Sequence, residues 1–329
     1  MASNNTTIQH YNHHSSQDVA FAVMYSFIVI IGVPANCIII AIVRKTPSMH
    51  TTTNYLLMNL AVADLTTLLL CPGMYDFSLN EMNVHATLGD FVCKLFAGNA
   101  IVPITMNVGV LTVCTIAIER YLALVKPFYT GLRLTKKRLP YVVAFLWVIA
   151  VLSCIPDFMT NTIDTNPLST YPCKRPWSLD KYSNHGSFII YTGVFFGIIP
   201  CVMVFFCYLE IFRGLFITNT ICVTPANGPS SQAVEDQRTK KQLFKLLVWL
   251  TILFCICTLP FSLFFVYLAA IDRTTVADNR ERLYFFHRTV RFPLSGNSFF
   301  NPIAYALQSS NYRKEFKRIF CCHRVQETN

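Results

Sequence analysis

Charge is what this sequence has least of. Asp, Glu, Lys and Arg make up only 13% of its 329 residues, about half the roughly 25% of a soluble domain, and 53% of the residues are hydrophobic. A conventional soluble fold is excluded. The first 18 residues lack both lysine and arginine, and no small-residue cleavage site precedes the apolar block that follows, so the pattern of a cleaved signal peptide is missing. The first block is expected to serve as its own signal anchor. His10, His13 and His14 crowd the polar amino-terminal segment, but no metal-ligand spacing occurs inside the apolar blocks. Without a reactive cluster a membrane enzyme is disfavoured, and without matching interrupted halves so is a transporter.

What is present is a series of apolar blocks near the roughly 20 residues that span a hydrocarbon core. Spans are expected near 20–43, 55–78, 91–123, 139–157, 187–216, 242–269 and 284–307. Asp18 before the first and Arg44 and Lys45 after it orient the amino terminus outward, and seven crossings leave the tail inside. Of the 27 lysines and arginines, about twice as many fall on the predicted inner side as on the outer, as the positive-inside rule requires. The formal charge of +10 is therefore a membrane pattern and not a nucleic-acid footprint. Three regions follow: an outer tail over 1–19, a bundle over 20–308, and an inner helix and tail over 309–329.

Two overlapping acceptors in the outer tail, Asn4-Asn5-Thr6 and Asn5-Thr6-Thr7, are glycosylation sequons, of a kind that also arises by chance. The inner connection at 217–241, with Thr224-Pro225-Ala226-Asn227-Gly228-Pro229, reads as a flexible linker. After the last span, Tyr312, Phe316, Ile319 and Phe320 share one helical face and cations another, which predicts a short amphipathic helix on the inner leaflet. Cys321 and Cys322 end it where palmitoyl chains reach a bilayer. Two unmodified thiols are the plain alternative.

Asp64, within Leu60-Ala61-Val62-Ala63-Asp64-Leu65, is a carboxylate inside a span and must face the bundle interior with partners. Asn36, Asn59, Asn297, Ser298 and Asn301 are the polar candidates, and two readings stand. The set holds a Na⁺ ion against Asp64, or it merely pins helices together. Glu119-Arg120-Tyr121 ends the third span at the inner boundary. Together with Asn301-Pro302-Ile303-Ala304-Tyr305, Trp147 in the fourth span, Pro200 and Tyr208 in the fifth and Pro260 in the sixth, these motifs resemble the signature set of rhodopsin-like G-protein-coupled receptors over residues 20–322, most closely the neuropeptide branch.

The resemblance implies an all-α membrane protein: a seven-transmembrane helix bundle with a short amphipathic helix after the seventh span. It implies a plasma-membrane protein that transduces and does not catalyse. Its partners would be an extracellular ligand, a heterotrimeric G protein, arrestin, receptor kinases and membrane lipids. Glu119 would restrain Arg120 at rest, and an outward swing of the sixth helix about Pro260 would rearrange Arg120, Tyr208 and Tyr305. Pro127-Phe128 resembles the loop contact that enters a pocket on the G protein, or is a simple turn that ends the helix. Cys93 and Cys173, the two cysteines placed on the oxidising outer side, are expected to form a disulfide, the pairing the family also implies.

The chain departs from the family pattern in three places. Thr258, in Phe254-Cys255-Ile256-Cys257-Thr258-Leu259-Pro260, replaces the usual tryptophan, with Phe254 and Phe261 at hand to take over its packing. Two extra residues between Cys93 and Arg120, with Gly98, Pro103 and Gly109, predict a bulge or kink in the third span. Arg238, Lys240 and Lys241 stand where an acidic partner for Arg120 is sometimes found, so the resting lock falls to Glu119.

The ligand class is approached by exclusion. No carboxylate lies between Asp90 and Glu119, which removes amine ligands, and no lysine in 284–307 leaves nothing for a retinal Schiff base. Tyr75, Asp76, Asp157, Tyr191, Phe195, Tyr267, His287, Arg288 and Arg291 cluster near the outer ends, a mixture that suits a short, extended peptide. The competing reading takes Arg288 and Arg291 at i, i+3 as a clamp for a small anionic metabolite or nucleotide.

Overall fold

The computed structural model describes residues 16–70, 101–155, 158, 191, 193–217 and 231–320. Within them α1 runs over Ser16–Lys45 and α2 over Thr52–Leu69. Helix α3 covers Ile101–Leu124 and α4 covers Leu139–Ser153. Helix α5, Ile199–Phe212, is flanked by wider π-turns at Val194–Ile198 and Arg213–Ile217. Helix α6 spans Ser231–Ala270, and a short helical segment, Arg273–Asp278, leads to α7, Arg280–Gln308. Helix α8 follows at Ser310–Phe320. No strand occurs among the described residues.

Four stretches, Val19–Lys45, Ile101–Leu124, Val194–Ile217 and Phe244–Ala270, are long and apolar enough to cross a membrane. Leu139–Ser153 is a shorter apolar helix. Helices α2 and α7 are more polar because they carry Asn59 and Asp64, and His287, Asn297, Ser298 and Asn301, all turned inward where a bilayer does not charge for them. The outward faces instead present Ile30, Val202, Phe205 and Ile256, each more than 60% exposed. A soluble surface seldom carries so many exposed large apolar side chains.

Helix α3 runs through the middle, packed on α2, α4 and α5, while α6 pairs along α7, and α1 closes the ring against α2 and α7. Small residues set the closest approaches, as expected where packing and not water exclusion joins helices. A Cβ on Gly197, in the π-turn before α5, would overlap the Ser262 side chain of α6, and one on Gly32 of α1 would press Leu68 of α2 at 2.7 Å. Hydroxyls inside the bundle also bond back to their own helix, as Thr251 does to the Leu247 carbonyl at 2.9 Å.

Two expectations change. The bulge foreseen near Pro103 and Gly109 is absent from the described part of α3, which is an unbroken helix from Ile101. Pro103 lies within the described part of α3, and Gly109 lies against Leu60 of α2. Gly98 lies outside the described residues. The linker at 217–241 is also shorter than foreseen, because α6 begins at Ser231. The stretch from Gln232 to Lys241 consists largely of good helix formers and has neither glycine nor proline.

Candidate functional site

The polar centre is built by α1, α2 and α7. Asp64 is 4% exposed. Its Oδ1 accepts from the Ser298 hydroxyl at 2.8 Å and its Oδ2 from the Asn301 amide at 2.7 Å. Asn36 donates one amide hydrogen bond to the Gly32 carbonyl and one to the Ser298 carbonyl, both at 2.9 Å, so α1 grips the same turn of α7 that grips Asp64. Asn297 sits on this turn with its side-chain oxygen buried and unpartnered, as do the Ser295 and Tyr305 hydroxyls. Asn59 belongs elsewhere. It donates to Thr112 of α3 at 2.8 Å and accepts from the Trp147 indole of α4 at 3.0 Å.

This geometry ties three helices together through one carboxylate. The carboxylate, the Ser298 hydroxyl and the free Asn297 oxygen have the donor chemistry that Na⁺ prefers. Each oxygen of Asp64 accepts one hydrogen bond from α7 and keeps a lone pair that a cation could share.

At the inner end, Arg120 grips Glu119 with two parallel hydrogen bonds, Nε to Oε2 and Nη2 to Oε1, each 2.5 Å. The first turn of α2 completes the grip. Thr52 and Thr53 donate to the two Glu119 oxygens at 3.3 and 3.2 Å, and that turn is itself fixed by Thr51, whose hydroxyl accepts from the Asn54 N–H at 3.2 Å. Tyr121 lies half-buried beside Phe206. Phe128, just past Pro127, is 93% exposed and touches none of this.

Where an acid from α6 might have reached, an aromatic cluster stands instead. Tyr208 and Phe212 of α5 and Phe216 just beyond it surround Phe244 of α6 at ring distances of 6.4, 6.4 and 6.0 Å, and Lys241 caps Phe216 at 5.6 Å. Sequence reading singled out only Tyr208. The signal was there in the i, i+4, i+8 spacing of 208, 212 and 216. Tyr305, fully buried, stacks on Tyr312 of α8 at 5.4 Å. The Tyr312 hydroxyl reaches Asn54 at 3.5 Å, and burial raises its phenol above the ordinary tyrosine value, so it remains a neutral donor. Helix α8 is thereby anchored to α2 and α7.

Glu119→Gln is expected to raise ligand-free signalling. The amide keeps the shape but exchanges charge-assisted hydrogen bonds, worth about 1.5–3 kcal/mol, for neutral ones of about 1 kcal/mol. A wild-type basal level in a reporter assay at matched surface expression would contradict the restraint.

Higher in the bundle, Pro260 lies inside α6, Phe254 is buried in the core below it, and Thr258 is 5% exposed. The inward side of outer α6 is aromatic, with Phe261, Phe264 and Phe265 ringing His287 at 5.9, 5.9 and 6.0 Å. Tyr191 and Phe195 pair at 4.5 Å before α5. The Arg288 guanidinium lies over the Phe21 ring of α1 at 4.5 Å, while Arg291 is half-buried one turn on. Tyr267 is 52% exposed on the outward face of α6 with Leu263, away from His287. Asn4, Asn5, Tyr75, Asp76, Cys93, Asp157, Cys173, Cys321 and Cys322 lie outside the described residues.

Membrane-length helices ringed about α3, a polar centre at Asp64 and a closed Glu119–Arg120 fork define an all-helical membrane protein of receptor type. The family model described as 7 transmembrane receptor (rhodopsin family) matches residues 35–305, and the chain belongs to that family of multi-pass membrane proteins. It is 25% identical to the Tachykinin-like peptides receptor 86C of Drosophila melanogaster over 319 residues, 93% of this chain and 59% of that protein. It is also 25% identical to Galanin receptor 2a of Danio rerio, over 94% of this chain and 80% of that one. A QRFP-like peptide receptor of Branchiostoma floridae matches at 27% identity over 91% of this chain and 77% of its own length. The chain thus spans about three-fifths of the Drosophila receptor's length.

Proposed function

We propose that this chain is a G-protein-coupled receptor for a short extracellular peptide and has no enzymatic activity. It would sit in the plasma membrane with its amino terminus outside and its carboxy terminus inside. The observation that carries the reading is the inner crevice: Arg120 is drawn onto Glu119, which the first turn of α2 holds, and packing between α5 and α6 closes the space beside it. Such a closure has two arrangements, and a ligand that binds one better shifts the population toward it.

A peptide entering from the outer side meets the Phe261, Phe265 and His287 cluster, which lies at the pivot end of α6. Pro260 breaks the helical hydrogen-bond ladder there, so a push on the outer turns moves the inner arm, parts Phe244 from Tyr208 and frees Arg120. The G protein's carboxy-terminal helix would fill the opened crevice, with Phe128 exposed alongside as a second contact. Arrestin and receptor kinases would use the same open face. The tachykinin-like and QRFP-like peptide receptors among its relatives support the ligand class.

The anionic-metabolite reading rests on Arg288 and Arg291. It is the weaker one, because Arg288 leans on the Phe21 ring toward α1. Cells expressing the chain should respond to a peptide library in a second-messenger assay and not to a library of carboxylates and nucleotides. Responses to anions alone, lost in Arg291→Ala, would reverse that choice.

A further inference from the structure

We infer that the membrane-facing groove between outer α6 and outer α7 binds a single-chain anionic amphiphile, a long-chain carboxylate, with its head on Arg282. The groove is a cavity of about 620 Å³, within the roughly 300–1,000 Å³ of ligand pockets. Pro260, Leu263 and Tyr267 form one wall and Phe286 the other, with Asn279 and Arg282 at the outer end.

Its orientation follows from the faces of α6. Phe261 and Phe265 turn inward to His287, Ser262 turns to Gly197 just before α5, and Phe264 and Leu268 pack with Leu283 and Val290 of α7. At 100° per residue, the remaining direction is that of Leu263 and Tyr267, and these are 55% and 52% exposed, with Phe286 at 53%. In a membrane-spanning bundle that direction is the hydrocarbon. The wall is therefore matched to an acyl chain and closed to a water-borne peptide.

The end of the groove is matched to a head group. Among the described residues, Arg282, beside the start of α7 where the helix leaves the membrane, is the one cation in the lining, and none of them adds a carboxylate to it. It makes no ion pair among the described residues. An Arg at an interface, its stem along apolar surface and its fork at head-group level, is suited to a carboxylate. The site touches α6 and α7 from outside, so it is distinct from the inward surface assigned to the peptide, and it does not depend on that assignment.

The test uses the full-length chain purified into phosphatidylcholine nanodiscs and a diazirine-bearing oleate, with labelled peptides mapped by mass spectrometry. Label is expected at Leu263, Tyr267 or Phe286. Oleate should compete for it and oleyl alcohol should compete poorly. Labelling should fall in Arg282→Gln, survive in Arg282→Lys and disappear in Leu263→Trp, all with wild-type thermal unfolding. Label spread over other lipid-facing helices, equal competition by oleyl alcohol, or full labelling of Arg282→Gln would overturn the assignment. The competition arms on the unmutated chain decide it even if a variant does not fold.

Discussion

Asp64→Ala is expected to lower the stability of the purified receptor by about 2–6 kcal/mol and to abolish ligand-stimulated signalling. The carboxylate accepts from Ser298 and from Asn301 in a site that water does not reach, and leaving a buried donor unpaired costs about 1–3 kcal/mol each. The damage would propagate, because Ser298 is also the residue that Asn36 holds, so α1, α2 and α7 lose their common point together. Asp64→Asn retains one acceptor and should lose less stability. Thermal unfolding in detergent measures both, and an alanine variant that melts with the wild type would remove the polar centre from the account.

A cross-link should have an effect as large, through a different pair. The sulfurs of Cys201 on α5 and Cys255 on α6 lie 3.3 Å apart. Cys255 sits just over one turn to the inner side of Pro260, on the arm that the proposed activation moves. Copper–phenanthroline as oxidant should take one electron and one proton from each thiol and join the two sulfurs. The product would be two hydrogens lighter, with the inner arm of α6 stapled to α5. Agonist-stimulated signalling should be lost, return with dithiothreitol, and be insensitive to the oxidant in Cys255→Ser. A staple that forms by mass yet leaves signalling intact would separate the chemistry, which the geometry supports, from the swing of α6, which it would refute.

The family was legible because its motifs are polar exceptions in apolar blocks. A carboxylate at 64, an acid–base pair at 119 and 120 and an Asn-Pro pair at 301 and 302 can be placed on spans without coordinates. Which way each side chain turned was much less legible. Asn59 and Asp64 lie on one helix, but five residues carry the chain about 140° past a whole turn, so Asn59 serves α3 and α4 while Asp64 serves α7. Tyr267 reads as a ligand contact near the outer end, but its side chain turns away from the bundle interior.

The physical reason is common to both. A helix in a bilayer is apolar toward lipid and toward its neighbours, so the periodicity that orients a soluble helix is weak here. The aromatic cluster around Phe244 escaped notice for a related cause. Its members sit on two helices joined through a long inner connection, and only packing reveals that Tyr208, Phe212, Phe216 and Phe244 meet.

The most direct measurement is guanine-nucleotide exchange on a panel of purified heterotrimeric G proteins by the full-length chain in nanodiscs, with and without an active peptide. The account predicts that the peptide accelerates exchange on at least one G protein and that Arg120→Ala removes the acceleration while peptide binding persists. Peptide binding without exchange on any member of the panel, or acceleration undiminished in Arg120→Ala, would contradict it.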